Sequence, residues 1–270
     1  MPSKIARSLF FAFQNTLIAF GRGAVGVQGV NRLLLMLPSQ PIRLLRPHYD
    51  NVQHAFDEAI STGLDYTTPT FPAKMAKVFD EAVLATLAEL PAETLAVMEV
   101  GCGNGRWLAR LHERLESPIS AVGIDLSPKL IDAARANLGD WATVHNGNFF
   151  AYHPSNHHQF DVIYLFDVLQ HLDRGDDQHV LAKAQRLLKP NGLLIIMDKE
   201  RFSSYGIKMA FRRWLGWVPA YYRTASYPAF FFLTRLAKKT GFKIHTHKKY
   251  EEYRYLILRQ NGSEGGVATL

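Results

Sequence analysis

The chain has 270 residues, of which 47% are hydrophobic and 20% charged. This composition excludes a disordered or fibrous protein, and the length suits one enlarged domain or a domain with an appendage. The net charge of +7 leaves three anionic partners open: nucleic acid, a membrane surface or an anionic substrate. The basic residues are dispersed through residues 1–46 and again through 199–249 without a Lys/Arg-rich tract or zinc knuckle, which argues against nucleic acid.

The first 20 residues have a basic start and an apolar stretch, as signal peptides do. Gln14 and Asn15 interrupt the stretch, no small-x-small cleavage site follows, and Arg22 arrives before the roughly 20 residues that span a bilayer. A second apolar patch ends at Pro38. We expect residues 1–71 to form an apolar helical appendage, either packed on the domain or lying at a membrane or over a lipophilic pocket.

The apolar spacing of residues 72–90 predicts a helix that Pro91 ends. Short apolar runs then alternate with helical patterns, which predicts a parallel sheet covered on both faces. The predicted strands are 95–100, 121–125, 141–146, 160–166 and 193–198, the last preceded by a Lys-Pro-Asn-Gly stop signal at 189–192. The helix after the second strand should begin with Ser127 as N-cap and Pro128 at its first position, and end at Gly139.

The end of the chain has a different pattern. Two strand-like runs, 243–250 and 253–260, leave no room between them for a crossover helix and should therefore pair antiparallel. An insertion rich in Phe, Trp and Tyr occupies 201–227, and the tail 261–270 is expected to be disordered. The principal domain is thus predicted to cover residues 72–260 with an α/β fold.

The sequence VMEVGCGNGRW, residues 97–107, places three glycines in a turn between a strand and a helix. Backbone N–H groups and a helix N-terminus face a ligand in such a turn. A triphosphate loop would need GxxxxGK[ST], and no Lys-Ser or Lys-Thr follows. A dinucleotide site would need a third glycine where Arg106 stands. Asp125, which ends the next strand, could accept hydrogen bonds from both hydroxyls of a ribose.

Four motifs in order, EVGCGNG, GIDLSPKLIDAA, FDVIYLFDVLQHL and LLKPNGLLIIMD, resemble those of class I S-adenosylmethionine-dependent methyltransferases over residues 95–200. The resemblance implies a Rossmann-like, doubly wound, seven-stranded sheet, mostly parallel with an antiparallel last strand. It implies S-adenosylmethionine as cofactor, and a cytoplasmic enzyme is consistent with a chain whose only cysteine is Cys102. S-adenosylmethionine has no phosphate, so its loop needs no lysine.

The resemblance also implies roles for individual residues. Glu99 would contact the cofactor's ammonium group, directly or through water, Asp125 would hold the ribose hydroxyls and Phe166 would offer a backbone carbonyl. Asn148 stands where the family often has an aspartate against the adenine amino group, and its amide oxygen can accept the same bond. The complete implied set is Glu99, Gly101, Cys102, Gly103, Gly105, Asp125, Leu126, Asn148, Phe149 and Phe166.

The acceptor is less well defined by the sequence. Methyl transfer needs alignment and, for some acceptors, a base. His171, at a position where many relatives carry histidine, is the candidate for acid–base work, with a structural role as the alternative. No metal-ligand cluster and no histidine–carboxylate pair can be identified from spacing, which favours methylation of a carboxylate or hydroxyl oxygen.

Two segments indicate a lipophilic acceptor. RPHYDNVQHAF (46–56), with Tyr49 and Asp50 in its HYD sequence, resembles the entrance of cyclopropane fatty acid synthases and some quinone methyltransferases, although the cysteine expected just downstream is absent. The insertion combines tryptophans with arginines, as a lid over a lipophilic acid would. The candidate acceptor residues are Tyr49, Arg212, Arg213, Trp214, Trp217 and Tyr221.

These patterns predict methyl transfer to a lipophilic small molecule, with formation of a hydroxy fatty acid methyl ester as one specific form. Peripheral contact with the inner face of a membrane is a further expectation, and no metal is expected. Three alternatives stay open: a quinone or polyketide O- or C-methyltransferase, a nucleic-acid methyltransferase, and a methyltransferase-like binding module without turnover.

Overall fold

The computed structural model describes residues 48–62, 73–91, 93–154, 159–173, 175–215, 217–218, 225 and 227–260. The expectations for the apolar segments before residue 48 and for the tail 261–270 concern residues outside this description. The same holds for Tyr221 and for the side chains of Arg213 and Trp214.

The order of elements is that of an α/β domain. The helices are α1 (His48–Ser61), α2 (Ala73–Phe79), which continues through a π-helical turn (Asp80–Leu84) into α3 (Ala85–Ala88), α4 (Arg106–Arg114), α5 (Pro128–Leu138), α6 (Asp176–Leu187), α7 (Ser204–Trp214) and α8 (Phe230–Lys239). The strands are β1 (Leu95–Val100), β2 (Ile119–Asp125), β3 (Ala142–Asn146), β4 (Phe160–Phe166), β5 (Leu188–Lys199), β6 (Phe242–Tyr250) and β7 (Tyr253–Gln260).

The seven strands form one sheet in the order β3-β2-β1-β4-β5-β7-β6. The pairs from β3 through β5 are parallel, whereas β7 runs antiparallel to both of its neighbours. The predicted Rossmann-like fold is therefore confirmed, including the antiparallel pairing of the last two strands. The chain order reverses between β1 and β4, and ligands of open α/β sheets bind at this kind of switch point.

Local chemistry explains the helix that follows β2. The Ser127 hydroxyl oxygen accepts a hydrogen bond from the Leu130 N–H, Pro128 occupies the first helical position, and Gly139 caps the C-terminus. Each of these was predicted from the sequence. Four other helical positions point inward: Leu130, Ile131, Ala134 and Leu138 are buried.

The prediction for residues 189–192 was wrong. Lys-Pro-Asn-Gly does not precede the fifth strand but lies within β5, which begins at Leu188 directly after α6. Phe160 pairs with Leu188 and Val162 with Leu193, so the extra residues bulge from the ladder. Asn191 has a φ of 65°, which asparagine tolerates better than most residues. Because the residues on both sides of this segment still pair with β4, its turn-forming residues produce a bulge within the strand and not a turn before it.

Two apolar cores lie on opposite faces of the sheet. One packs α2, α4 and α5 through residues such as Phe79, Trp107 and Ile131, and the other packs α6 and α8 through residues such as Leu181 and Phe230. Helix α8 was not assigned from the sequence and covers the second face near β6 and β7. Among the described helices, none has the length and apolar character needed to cross a membrane.

Candidate functional site

A cavity of about 450 Å³ opens where the carboxyl ends of β1, β2, β4 and β5 meet. This volume lies within the roughly 300–1,000 Å³ of pockets that hold drug-sized ligands. The glycine turn, the end of β2 and the loop after β3 form one end. Helix α1, the loop after β4, and the β5 and β7 residues Lys199 and Tyr253 form the other.

The glycine turn forms part of the wall, and its glycines have two different functions. All three have positive φ, 73° at Gly101, 55° at Gly103 and 76° at Gly105. A Cβ on Gly101 would lie 2.4 Å from Val168 Cγ2, and one on Gly105 would lie 2.7 Å from Leu138 Cδ1. Around Gly103, apart from the glycine itself and its two chain neighbours, no atom of the described structure lies within 4 Å of such a Cβ. Gly101 and Gly105 therefore permit close packing of the protein itself, whereas Gly103 leaves space for a ligand.

Asp125 connects the turn to the end of β2. Its Oδ2 accepts a hydrogen bond from the Gly103 N–H and its Oδ1 accepts one from the Ser127 N–H, each at 2.9 Å. Burial raises the pKa of Asp125 above its ordinary value, and the two N–H groups oppose that shift. Each carboxylate oxygen can accept a second bond, and Asp125 lines the cavity. This arrangement fits a vicinal diol such as that of ribose.

Glu99 lies behind the cavity wall and is not among its lining residues. It is buried, and its Oε2 accepts a hydrogen bond from the Tyr164 hydroxyl at 3.0 Å. Its Oε1 accepts no hydrogen bond from any described group. Burial raises the pKa of Glu99 well above its ordinary value. Direct contact with a cofactor ammonium group is therefore not evident in this geometry, and the role stays a prediction.

The remaining predicted cofactor residues, apart from Gly105, line the cavity: Cys102, Leu126, Asn148, Phe149 and Phe166. Asn148 Oδ1 already accepts a hydrogen bond from the Phe150 N–H at 2.9 Å, so only its second lone pair remains for a ligand. Burial raises the pKa of the Cys102 thiol well above its ordinary value, which makes it a packing residue rather than a nucleophile.

At the other end lies a cluster that the sequence analysis did not identify. Lys199 Nζ is 2.8 Å from both carboxylate oxygens of Asp167, and the Tyr253 hydroxyl donates to Asp167 Oδ2 at 3.3 Å. Asp167 directly follows β4 and has a φ of 58°, an uncommon conformation for a residue other than glycine. Strain of this kind is concentrated at functional sites.

The ion pair at this end is largely buried. The Lys199 side chain is 8% exposed and that of Asp167 is 20% exposed. Burial is the largest single influence and disfavours the ammonium, but Asp167 and Tyr253 together outweigh it, so the pKa of Lys199 lies well above its ordinary value. Burial, followed by the charge of Asp167, raises the pKa of Tyr253. Lys199 therefore stays charged and Tyr253 stays neutral near pH 7.

Helix α1 covers this end of the cavity with Tyr49, Val52, Gln53 and Phe56. The Tyr49 hydroxyl donates to Asp176 Oδ2 and accepts from the Asp173 N–H, which joins α1 to the segment before α6. His48 Nε2 lies 2.7 Å from the His171 carbonyl oxygen, and the Phe56 ring meets His171 edge-on at 5.2 Å. Tyr49 of the HYD segment thus lines the cavity, and its contact with an acceptor stays a prediction.

His171 also lines the cavity, so either of the roles weighed for it is compatible with its position. The described part of the insertion is placed differently. Arg212 and Trp217 are exposed, and neither is among the residues that line the cavity. Their predicted contact with the acceptor finds no support in this arrangement. Sequence spacing could not have shown this, because the direction of α7 depends on its packing.

Comparison with known proteins identifies the family. A family model described as "Methyltransferase domain" matches residues 71–247. This is well over half of the chain, and the chain therefore belongs to this methyltransferase family. The family is dependent on S-adenosylmethionine, which confirms the cofactor that the motifs predicted.

Individual relatives are distant. A 3-methylorcinaldehyde synthase from Talaromyces stipitatus is 25% identical over 205 residues, which cover 70% of this chain and 7% of that protein. A ubiquinone biosynthesis O-methyltransferase from Cereibacter sphaeroides is 28% identical over 160 residues, 58% of this chain and 60% of that protein. The chain thus spans less than two thirds of the length of either relative.

Among solved structures, magnesium protoporphyrin IX methyltransferase from Synechocystis PCC 6803, with bound SAH, superimposes with a TM-score of 0.61 at 17% identity. The match covers 80% of this chain and all of that one. At this identity the likeness shows the fold.

Proposed function

We propose that this protein transfers a methyl group from S-adenosylmethionine to a hydroxyl oxygen of a lipophilic small molecule. When bound, S-adenosylmethionine supplies an electrophilic methyl group on a sulfonium sulfur. The observation that carries the proposal is the division of one cavity into two ends, with Asp125 and Gly103 at one and the Asp167–Lys199 pair at the other.

The donor end fits the cofactor. The outer lone pairs of Asp125 can accept the ribose hydroxyls, and such charge-assisted bonds contribute about 1.5–3 kcal/mol each. Gly103 provides the space in which a nucleoside can approach the backbone. Leu126 and Phe149 supply apolar surface on the same side for the adenine ring.

Sheet geometry sets the distance between the two ends. Asp125 ends β2 and Lys199 ends β5, with β1 and β4 between them. Three strand spacings of about 4.8 Å separate the two backbones by about 14 Å. Asp125 would hold the nucleoside of the donor at one side of this span, and Asp167, in the loop after β4, would hold the acceptor hydroxyl towards the other side.

The charges at the acceptor end favour a hydroxyl over a carboxylate. Lys199 is already neutralised by both oxygens of Asp167, so the pair offers no net positive charge to a carboxylate. A neutral hydroxyl could instead donate to Asp167, which would accept its proton as the carbon–oxygen bond forms and the sulfur–methyl bond breaks, with S-adenosylhomocysteine as the neutral leaving group. Lys199 would stabilise the negative charge that develops on the acceptor oxygen.

The surroundings of the ion pair favour an apolar acceptor. Phe56, Phe150, Val168 and Leu172 line the cavity near His171 and Tyr49. A lipophilic phenol or alcohol would bury its skeleton against them and direct one oxygen to Asp167. The name of the O-methyltransferase relative is consistent with this reaction. Methyl-ester formation on a hydroxy fatty acid is the less favoured form of the proposal.

The test is incubation with methyl-labelled S-adenosylmethionine and two acceptor sets, long-chain phenols and alcohols in one and fatty acids in the other. The proposal expects labelled ethers that survive mild alkali. Label released as methanol by alkali would identify an ester and overturn the assignment to a hydroxyl. Binding of the cofactor without transfer to either set would support the binding-module alternative.

A further inference from the structure

The charge of this chain is strongly segregated. Residues 201–250 contain eleven Lys and Arg residues and no Asp or Glu. Residues 50–200 contain 21 acidic residues and only twelve Lys and Arg. The basic character of the protein therefore comes from its ends rather than from its catalytic region, and we call residues 201–250 the basic segment.

The basic segment also carries the exposed apolar side chains. Among the described residues, every large hydrophobic side chain that is exposed lies between positions 202 and 232. These residues are Phe202, Ile207, Phe211, Trp217, Phe231 and Phe232. Isolated exposed apolar residues are ordinary, but a cluster of large ones within a single segment indicates an interaction surface.

The two helices of the segment combine both properties on one face. On α7, Ile207 and Phe211 are exposed together with Lys208 and Arg212. Ile207 and Phe211 are four residues apart, as are Lys208 and Arg212, and the two pairs are adjacent, so all four side chains lie on one side of the helix.

On α8, Phe231 and Phe232 are exposed together with Arg235, Lys238 and Lys239, whereas Phe230, Leu233 and Ala237 are buried. Apolar side chains flanked by Lys and Arg on an outward helix face are typical of helices that lie in the membrane interface.

A groove connects the two helices. It is lined by Phe202, just before α7, by Phe231, at the start of α8, by His247 and Lys249 of β6, and by the Glu200–Arg254 ion pair, whose charges offset each other. Phe202 and Phe231 are therefore neighbours in space across the groove. The segment also adjoins the proposed acceptor site, because Lys199 Nζ lies 5.9 Å from the centre of the Tyr205 ring on α7.

We propose that this surface binds an anionic lipid bilayer. Charge complementarity supports this occupant: the segment contains no acidic residue, and the exposed Lys208, Arg212, Arg235, Lys238 and Lys239 of its two helices would be attracted to anionic headgroups, at about 1 kcal/mol for each basic residue near the surface. The exposed Phe and Ile side chains would enter the boundary between headgroups and acyl chains. A lipophilic acceptor could then pass from the bilayer to the cavity.

Other occupants fit less well. A second copy of the same surface would bring like charges together. Residues 1–49 of the chain contain six basic and no acidic residues, so they do not complement the segment either. Single-stranded nucleic acid needs ring faces on which bases can stack. Phe231 and Phe232 instead meet each other edge-to-face, with 73° between their planes.

The experiment is co-sedimentation of the full chain with vesicles of equimolar phosphatidylglycerol and phosphatidylcholine, compared with vesicles of phosphatidylcholine alone. Binding to the first should be at least tenfold tighter and should weaken as salt is raised. The double variant Lys238→Glu/Lys239→Glu should lose at least tenfold in affinity, and Phe231→Ser/Phe232→Ser should weaken binding even at low salt.

A matched control is Arg114→Glu/Arg135→Glu, which changes the net charge equally at exposed positions outside the segment. It should bind like the wild type. Equal loss of vesicle affinity in the control would show that net charge alone drives binding and would overturn the assignment to this surface. Equal affinity for vesicles with and without phosphatidylglycerol would also overturn the proposal. The proposal would likewise be overturned if the variants in the basic segment lost affinity for poly(U) RNA while their binding to vesicles was unchanged. All variants should retain methyl transfer to a water-dispersed acceptor, so failure here is distinguishable from failure of the proposed reaction.

Discussion

One end of the cavity is formed around backbone and the other by side chains. The proposed donor end is formed by three strand ends around backbone of one turn, Gly101 to Gly105, to which the carboxylate of Asp125 is hydrogen-bonded. The proposed acceptor end consists of side chains from four separate elements, contributed by α1, the loop after β4, β5 and β7. A shared cofactor can be recognised by a conserved local geometry, whereas an acceptor is selected by side chains that differ between relatives.

The largest expected effect concerns the acceptor end. Asp167→Asn should lower kcat by about 10²–10⁴-fold, because an amide cannot accept the acceptor's proton. Affinity for S-adenosylmethionine, measured by calorimetry, should stay within a few-fold of the wild type. The matched control is Asp161→Asn, which also removes a carboxylate paired with a lysine, Lys189, but away from the cavity. Equal loss of kcat in both variants would contradict the assignment of Asp167.

At the donor end, a substitution should lower the affinity for the cofactor. Asp125→Ala should weaken the affinity for S-adenosylmethionine by about 10- to 100-fold, because the bonds to the ribose hydroxyls are lost. Calorimetric titration measures this directly. Asp132→Ala removes an exposed carboxylate on α5 and should leave affinity unchanged. Wild-type affinity in the Asp125 variant would exclude the ribose contact.

A third comparison separates packing from ligand space within the glycine turn. Both Gly101→Ala and Gly103→Ala introduce a side chain at positive φ, at a cost of about 1–2 kcal/mol. Only Gly101→Ala also collides with Val168, so it should lower the free energy of unfolding more, and Val168→Ala should restore part of the loss. Gly103→Ala should chiefly weaken cofactor binding. Denaturant titration and calorimetry measure the two effects.

The smallest effect concerns pH. The pKa of Glu99 is raised by burial, so the folded state holds this proton more tightly than the unfolded state does. The resulting contribution to stability is complete below the unfolded pKa and is lost as pH rises through the folded pKa. Glu99→Gln should therefore flatten the decline in the free energy of unfolding above about pH 4.5. An unchanged slope would show that Glu99 is not protonated in the folded state.

The predictable and the unpredictable parts of the molecule differ in the range of their interactions. Ser127, Pro128 and Gly139 defined α5 because capping depends on residues within one helical turn. The Lys-Pro-Asn-Gly segment was misinterpreted because the same turn residues can form a bulge when a partner strand continues on both sides. Helix α8 was not predicted, although its spacing is amphipathic: Phe230, Leu233 and Ala237 are buried, whereas Arg235, Lys238 and Lys239 are exposed.

The sequence by itself determined the fold class, the cofactor and Asp125 as the candidate ribose contact. The fold class follows from strand–helix alternation, and the cofactor follows from the resemblance of four ordered motifs to the methyltransferase family; both depend on short segments of the chain. Only the tertiary structure brought Asp167, Lys199 and Tyr253 together, because residues 86 positions apart meet when β7 inserts beside β5. It also left Arg212 and Trp217 outside the lining of the cavity and placed Phe211 of α7 and Phe231 and Phe232 of α8 on the surface. The side that a helix presents to solvent depends on what packs beneath it, and that is decided by the whole fold.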